Sequence, residues 1–493
     1  MLLLFERWGR LRSKLVAHQR VLNTCPPAIS KMPRTRVRLF LALWLVLAVH
    51  SSPEGPQNSR YQQPARALAN SGSFLLPPDA SEAPDFLLTP AGNYAIVAPS
   101  LPLLLAPVHA ALKTFLTPIH AGPDHPLWPK LFGIAACALL IAPLLALSGV
   151  ALFEILEQFE PCVPHRISWA LLAICGSPVL FYSSQGIWSH SAAAAGLLFV
   201  FWSLWFKQNP LLAGALVGAA VSVDYATVIP SGTIILAWLA HARAKGLQER
   251  FNDFALLGLG VFMPCCGLLL YNHAITGSSW MMPQSLFAQQ MISAGFRAEM
   301  PLFDVPTARA LWGLAASPAR GLAWYFPAAL LLIPALAQKP WRKHPMGLCA
   351  LLAAASIFVL NASYSAWHGD VSFGPRHLTP AIPLIVIAIA GSGKMVGPKL
   401  RVAQSLFGVS ALVAFAGVAT GPSRHIGQNL LVFFYRGPHL NSLRFFNQEF
   451  LPAFTGTRVD LMTPFWLYAG GALAVWYLLK SMMRADGQLG QSG

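Results

Sequence analysis

The chain has 493 residues, 55% of them hydrophobic and only 11% charged, against roughly 25% charged in a soluble globular protein. With a mean hydropathy of +0.54 there are too few charges to coat a water-exposed surface, which excludes a soluble enzyme and equally a disordered chain. Seven cysteines are too sparse for a disulfide scaffold. A net charge of +16 would suit nucleic acid only if the basic residues formed one face.

The composition predicts an all-α polytopic membrane protein. A span needs about 20 mainly apolar residues. In chain order the apolar segments are 37–50, 130–153, 167–184, 189–206, 211–227, 228–242, 254–272, 321–338, 346–362, 379–391, 401–420 and 464–480, or about 12 transmembrane helices. The first reads as an uncleaved anchor rather than a signal peptide, because no clean small-x-small site follows Val49. With the N-terminus in the cytoplasm, 22 of the 34 Lys and Arg residues fall on the inner side. They include every short cluster, such as Arg34 to Arg38, Arg243 to Arg250 and Lys339 to Lys343. This is the positive-inside pattern, so the basic charge reports topology and the nucleic-acid reading falls. Cys25 and Cys162 lie in inner segments and the other cysteines in spans. The outer face thus has no disulfide, and a bacterial plasma (inner) membrane is the simplest location.

Inner loops are short and outer loops long. The expected organisation is a basic cytoplasmic segment (1–36), a membrane core (37–391) with outer loops 51–129, 273–320 and 363–378, and a C-terminal membrane segment (392–493) with outer loop 421–463. Long loops of mixed composition tend to carry function. In the first of them, Tyr61, Ala65 and Leu68 form an apolar stripe ending near Gly72, which predicts a helix lying in the interface. The segment 97–107 is apolar but broken by Pro99, Pro102 and Pro107, and is expected to be re-entrant or interfacial.

Polar residues collect at the outer ends of the spans. Trp188-Ser189-His190 opens one span, Asp224 sits between two, Tyr271-Asn272 closes another and Arg320 precedes the next. The densest group is the eleven residues Trp367–His377, with His368, Asp370 and Arg376 among them. An ionisable residue within a bilayer costs about 2.5–3.5 kcal/mol on insertion scales and so has a partner or a task. Asp224 reads equally as a carboxylate hydrated at the interface or as a working group, and His190 alone reads more simply as a satisfied hydrogen-bonding histidine. The 367–377 segment makes a poor packing element and a good anion pocket, since Arg376 can grip a phosphate bidentately. The pair Gly214 and Gly218, in contrast, is most simply a helix-packing motif.

In order and spacing, these residues resemble the GT-C class of polytopic glycosyltransferases, which includes protein mannosyltransferases and lipid A aminoarabinose transferases. The likeness is nearest to uncharacterised bacterial members. It rests on Arg60-Tyr61-x-x-x-Ala65-Arg66-Ala67-Leu68, Gly92-Asn93-Tyr94, Ala98-Pro99, Trp188-Ser189-His190, Tyr271-Asn272, Ser317-Pro318-x-Arg320-Gly321 and Trp367-x-Gly369-x-x-x-Phe373-Gly374-Pro375-Arg376. It covers about residues 37–391. The resemblance implies transfer of a sugar from a polyprenyl-phosphate donor on the outer face. It also implies a carboxylate base early in the first outer loop. The position just before Arg60-Tyr61 is Asn58, and an amide cannot take a proton. Glu54, Asp79, Glu82 and Asp85 are the nearby carboxylates.

The expected function is therefore a membrane glycosyltransferase. Its base would be Glu54 or the Asp79, Glu82 and Asp85 group, and its donor phosphate would be held by Arg66, Arg320 and Arg376. Asn58, Trp188, His190, Asp224, Tyr271, Trp367, His368, Asp370 and His377 would support them. A divalent metal is compatible with this chemistry, but no ligand motif marks a site. Expected partners are a polyprenyl-phosphate-linked sugar, an acceptor the sequence does not name, and membrane lipids. One rival is a GT-C-like protein that binds lipid or glycan without catalysis, which Asn58 favours. The other is a lipid or solute transporter, which would need ionisable residues inside the spans and two alike halves.

Overall fold

The computed structural model describes residues 32–53, 55, 58–77, 86–159, 163–241, 246–295, 302–337, 344–369, 372–392, 398–421, 425–436, 441–456 and a few positions within 470–478. The chain divides into two units. The first is residues 1–38, whose described part is the start of helix α1 (Met32–Val49). The second, Leu39–Gly493, holds everything else.

Helix α2 (Asn58–Ser71) buries Tyr61 and Ala65 and carries Arg60, Gln63 and Arg66 around that stripe, as the sequence pattern predicts. A small antiparallel hairpin follows, β1 (Phe86–Thr89) and β2 (Gly92–Ala95), in register from Phe86 opposite Ala95 to Thr89 opposite Gly92. The prolines of 97–107 do not break the segment. The segment enters one continuous helix, α3 (Ser100–Leu116), which with residues 117–119 is long and apolar enough to cross a membrane. None of the three prolines interrupts it. Pro99 precedes the first turn and Pro102 lies within it, where the backbone N–H groups have no helical acceptor to lose; only Pro107 is interior.

Helix α4 (Trp128–Ala136) runs through a π-turn at Cys137–Ile141 into α5 (Ala142–Leu156). Helices α6 (Val163–Cys175) and α7 (Pro178–Ser184) form a pair bent by 56°. Helix α8 (Ser189–Trp205) is apolar all round and buried over most of its length, which makes it the central helix of the bundle. It packs on α5 and on α9 (Pro210–Val223). Helices α10 (Val228–His241) and α11 (Leu247–Thr276) follow. The Gly214–Gly218 pair does pack helices. A Cβ on Gly214 would strike the backbone of α11 at Leu257 and Gly260, and one on Gly218 would meet Pro264.

Beyond α12 (Pro283–Ser293) and α13 (Ala308–Ala315), the predicted span 321–338 is broken into α14 (Leu322–Tyr325), a 3-10 turn at Pro327–Leu331 and α15 (Leu332–Ala337). Helix α16 (Pro345–Ser363) packs on α10 and on α17 (Ile382–Ala390), and α18 (Pro398–Thr420) closes the core. Helix α19 (Ile426–Arg436) exposes Leu431, Phe434 and Tyr435. The architecture is that of a polytopic α-helical membrane protein. Among the described residues five helices are long and apolar enough to span, six with the bent pair, and several other predicted spans are helices of 17 residues or fewer. The predicted span 464–480 lies largely outside the described residues.

Candidate functional site

The site is built at the start of α8. Ser177 caps α7 by accepting from the Val179 N–H at 3.2 Å while its hydroxyl donates to Ala173 O at 2.6 Å. With Pro178 in the first turn, this sets the bend after α6. Helix α7 ends at Gln185, whose Nε2 donates to His50 O at 2.6 Å. Gly186 then adopts φ +117°, a conformation that favours glycine. The next N–H, of Ile187, donates to Asn58 Oδ1 at 2.9 Å. This reversal leaves Trp188 as an extended cap (φ −128°) and starts α8 at Ser189 and His190.

Across from it, α9 ends at Asp224. Asp224 Oδ1 accepts from the Ala226 N–H at 3.1 Å. Its Oδ2 accepts from Ser189 Oγ at 3.2 Å and lies 3.2 Å from His190 Nδ1. Burial pushes this carboxyl up, but the hydrogen bond and charge of His190 and the donors at Ala226 and Ser189 outweigh it and hold Asp224 below its ordinary range. Tyr61 of α2 stands beside Ser189 and Asp224, its hydroxyl pushed above the ordinary tyrosine range by burial.

The 367–377 turn follows α16. Arg320 braces it from inside, Nε donating to His368 O at 2.7 Å and Nη1 to Ser372 O at 2.7 Å. Phe373 is fully buried, stacked on Phe181 with the Tyr325 ring edge-on, and Tyr182 donates to its carbonyl at 2.8 Å. Gly374 has φ +65° and the Tyr325 ring fills the place a Cβ would take. Gly369, at φ +68°, leaves room for the passing Arg376 side chain.

Arg376 thereby sets its guanidinium over the Trp188 ring, 5.7 Å from the centroid, and its Nε donates to His377 Nε2 at 3.2 Å. The His377 ring meets His190 edge-on at 4.8 Å and Tyr364 at 5.5 Å, and Asn361 Nδ2 donates to its carbonyl at 3.1 Å. Burial, with His190, Arg376 and His368 nearby, pushes His377 well below the ordinary histidine range. It is therefore neutral at pH 7, as accepting from Arg376 requires. Trp188, His190, Asp224, Arg376 and His377 thus meet in one cluster.

The other expected residues sit elsewhere. Arg66 lies half-buried on α2 near His109 and Lys113 of α3. Tyr271 donates to Val97 O at 2.8 Å and packs on Phe74; it ties α11 to the hairpin region. Its neighbour Asn272 accepts from Tyr225 at 2.7 Å, one residue from Asp224. Trp367 lies against Gly313 of α13, and His368 is exposed. Asn58 is buried and its amide oxygen is engaged by Ile187. Glu54, Asp79, Glu82, Asp85 and Asp370 lie outside the described residues. Among the described residues no group of three or more His, Cys, Asp or Glu side chains could hold a metal ion. The sequence reading missed Ser189 and Tyr61 as neighbours of Asp224; only the adjacency of Ser189 to His190 hinted at the first.

The opposite end of α8 carries a different group. Buried Glu154 accepts from Trp202 Nε1 at 2.7 Å and lies 3.7 Å from Lys207 Nζ, and Arg166 pairs with Glu157 at 3.5 Å. A 17-residue helix separates the two groups by about 25 Å.

Fold and cluster together define a polytopic helical membrane protein with a guanidinium, two imidazoles, an indole and a carboxylate gathered at one end of its central helix. No protein-family model and no curated protein matches the chain. Among solved structures it is similar to ArnT from Cupriavidus metallidurans bound to undecaprenyl phosphate, at 15% identity over 92% of this chain and 76% of that one, with a TM-score of 0.45. It is similar also to the same protein in the apo state, at 14% identity over 93% and 77% of the two chains, with a TM-score of 0.46.

Proposed function

We propose that the chain is a membrane glycosyltransferase that moves a sugar from a polyprenyl-phosphate donor to an acceptor on the extracytoplasmic face. The observation that carries this reading is Arg376 over Trp188. A guanidinium can bind a phosphate in fork geometry, and the buried Trp188 ring beneath it, 3% exposed, fixes where that guanidinium stands. An apolar cleft of about 320 Å³, lined by Ala315, Leu322, Ile333, Phe358 and Val359 among others, suits the polyprenyl tail. Its lining begins beside the turn. Leu322 is two residues from Arg320, and Val359 two from Asn361, which holds the His377 carbonyl.

In this reading Arg376 takes the donor phosphate, Arg320 shapes the turn that presents it, and Arg66 contributes positive charge from α2. The outer orientation is supported by Arg166 and Lys207 lying at the far end of the bundle, where the positive-inside rule puts cationic loops. The base is drawn from the first-loop carboxylates Glu54, Asp79, Glu82 and Asp85 or from a group in the cluster itself. The test uses the purified protein in nanodiscs with a long-chain polyprenyl monophosphate. Wild type should bind it, and Arg376→Ala should lose binding while keeping its elution volume and Tm. Unchanged binding in that variant would overturn the reading.

A second reading, a lipid- or glycan-binding protein without turnover, is favoured by Asn58, whose amide is buried as a brace rather than offering a base. Saturable binding with no transfer from any polyprenyl-phosphate sugar would select it.

A further inference from the structure

We infer that His190, oriented by Asp224, is the proton acceptor of the transfer, in the place of the carboxylate that Asn58 does not supply. The inference rests on the glycosyltransferase reading and assigns one step within it. Because a carboxylate only accepts hydrogen bonds, the 3.2 Å contact between Asp224 Oδ2 and His190 Nδ1 fixes the proton on Nδ1 and leaves the lone pair on Nε2. The orienting group is itself held. Ala226 N–H engages Oδ1, Ser189 Oγ engages Oδ2, and the Thr227 hydroxyl holds the Asp224 carbonyl at 2.8 Å. This is the base-plus-orienter arrangement that activates hydroxyl nucleophiles on unrelated folds.

Position supports the assignment. His190 is 15% exposed and Asp224 18%, so the pair is largely dry but reachable. Among the described residues His190 Nε2 makes no hydrogen bond. The groups facing the ring are Asp224, Trp188 and His377; Tyr61 and Ser189 face the carboxylate. Through His377, His190 is one imidazole away from Arg376. Base and phosphate-binding cation thus line one site.

In the step, the acceptor O–H bond breaks and its proton passes to Nε2. The oxygen forms a bond to the anomeric carbon. The bond from that carbon to the phosphate oxygen breaks, and its electron pair leaves with the polyprenyl phosphate beside Arg376. Asp224 stabilises the imidazolium, which afterwards releases its proton to water.

The experiment measures polyprenyl monophosphate binding and single-turnover transfer, across pH, for wild type, His190→Ala, His190→Asn and Asp224→Asn in nanodiscs. His190→Asn retains an amide donor for Asp224 and guards against misfolding of the alanine variant. Expected are binding within about threefold of wild type and transfer reduced roughly a thousandfold in both His190 variants. Asp224→Asn should lose roughly a hundredfold. Wild-type transfer should rise with pH along one limb that the His190 variants lack, and added imidazole should restore part of the His190→Ala rate. Transfer by His190→Asn within tenfold of wild type, or an unaltered pH limb, overturns the assignment and leaves the donor reading standing. A wild type that binds no polyprenyl phosphate overturns both.

Discussion

Arg320 and Arg376 serve the same turn and do opposite work. Arg320 is 8% exposed and gives its Nε and Nη1 hydrogens to the main chain at His368 and Ser372. Arg376 is half-buried, its guanidinium spread on the Trp188 ring and its Nε on His377. One shapes the turn and the other is presented by it, and the two are separable by experiment.

Replacing Arg320 by Met should act on stability. Two carbonyls inside the turn lose their donor, at a cost of about 2–4 kcal/mol, so the Tm in detergent should drop well below that of wild type. Transfer should fall along with the folded fraction. A variant with wild-type Tm would contradict the bracing role.

Replacing Arg376 by Ala should act on the ligand. The loss of charge-assisted hydrogen bonds amounts to about 2–3 kcal/mol, a rise in Kd for polyprenyl monophosphate of roughly 30- to 150-fold. Arg376→Lys should recover only part, because an ammonium is a point charge without the planar fork. Titration of the lipid phosphate against each variant decides this.

Acidification should weaken the fold through His377. Its folded-state pKa lies well below the ordinary 6.5, so the unfolded chain binds the proton more readily. The stability tied to the neutral ring is complete above about pH 6.5 and declines as the pH falls below it. Asp224 is depressed instead, from 3.8, and its contribution persists until the pH drops beneath that value. Tm measured between pH 7.5 and 5 should fall more steeply for wild type than for His377→Asn. Parallel curves would remove His377 as the cause.

Bulk on the α9 face should separate helices. Gly214→Leu would drive a side chain into the backbone of α11, an overpacking cost of about 1–3 kcal/mol or more. Gly232→Ala in α10, where a Cβ would meet nothing within 4 Å, should be neutral or stabilising by up to about 1 kcal/mol. Detergent-solubilised yield and Tm should therefore fall for Gly214→Leu and hold or rise for Gly232→Ala.

Asn58→Asp tests whether the missing carboxylate is a vacancy. The amide accepts from Ile187 and lies against Gly133, so a buried carboxylate there should lower the Tm without raising transfer. A gain in transfer would mean that an acid at this position can work as the base, and would favour the reading without native turnover.

Helix type and burial were legible in residue order. The uniformly apolar α8 is the buried helix, the Tyr61 and Ala65 stripe of α2 packs inward, and the Gly214–Gly218 pair packs α9 on α11. Each is local, because a backbone in hydrocarbon must satisfy its own hydrogen bonds, and side-chain period then settles which face turns inward. The prolines of 97–107 leave α3 continuous, Pro99 and Pro102 because they stand before or within its first turn. Which polar residues work together was not local at all. His190 and Asp224 are joined by the packing of α8 on α9, and Trp188 and Arg376 by a turn that Arg320 and Phe373 hold in place. A hydrogen bond or a stacked cation forms only within a few ångströms and at the right angle. Composition could therefore announce a membrane protein and name an arginine, while only the tertiary structure decided which imidazole and which carboxylate face each other.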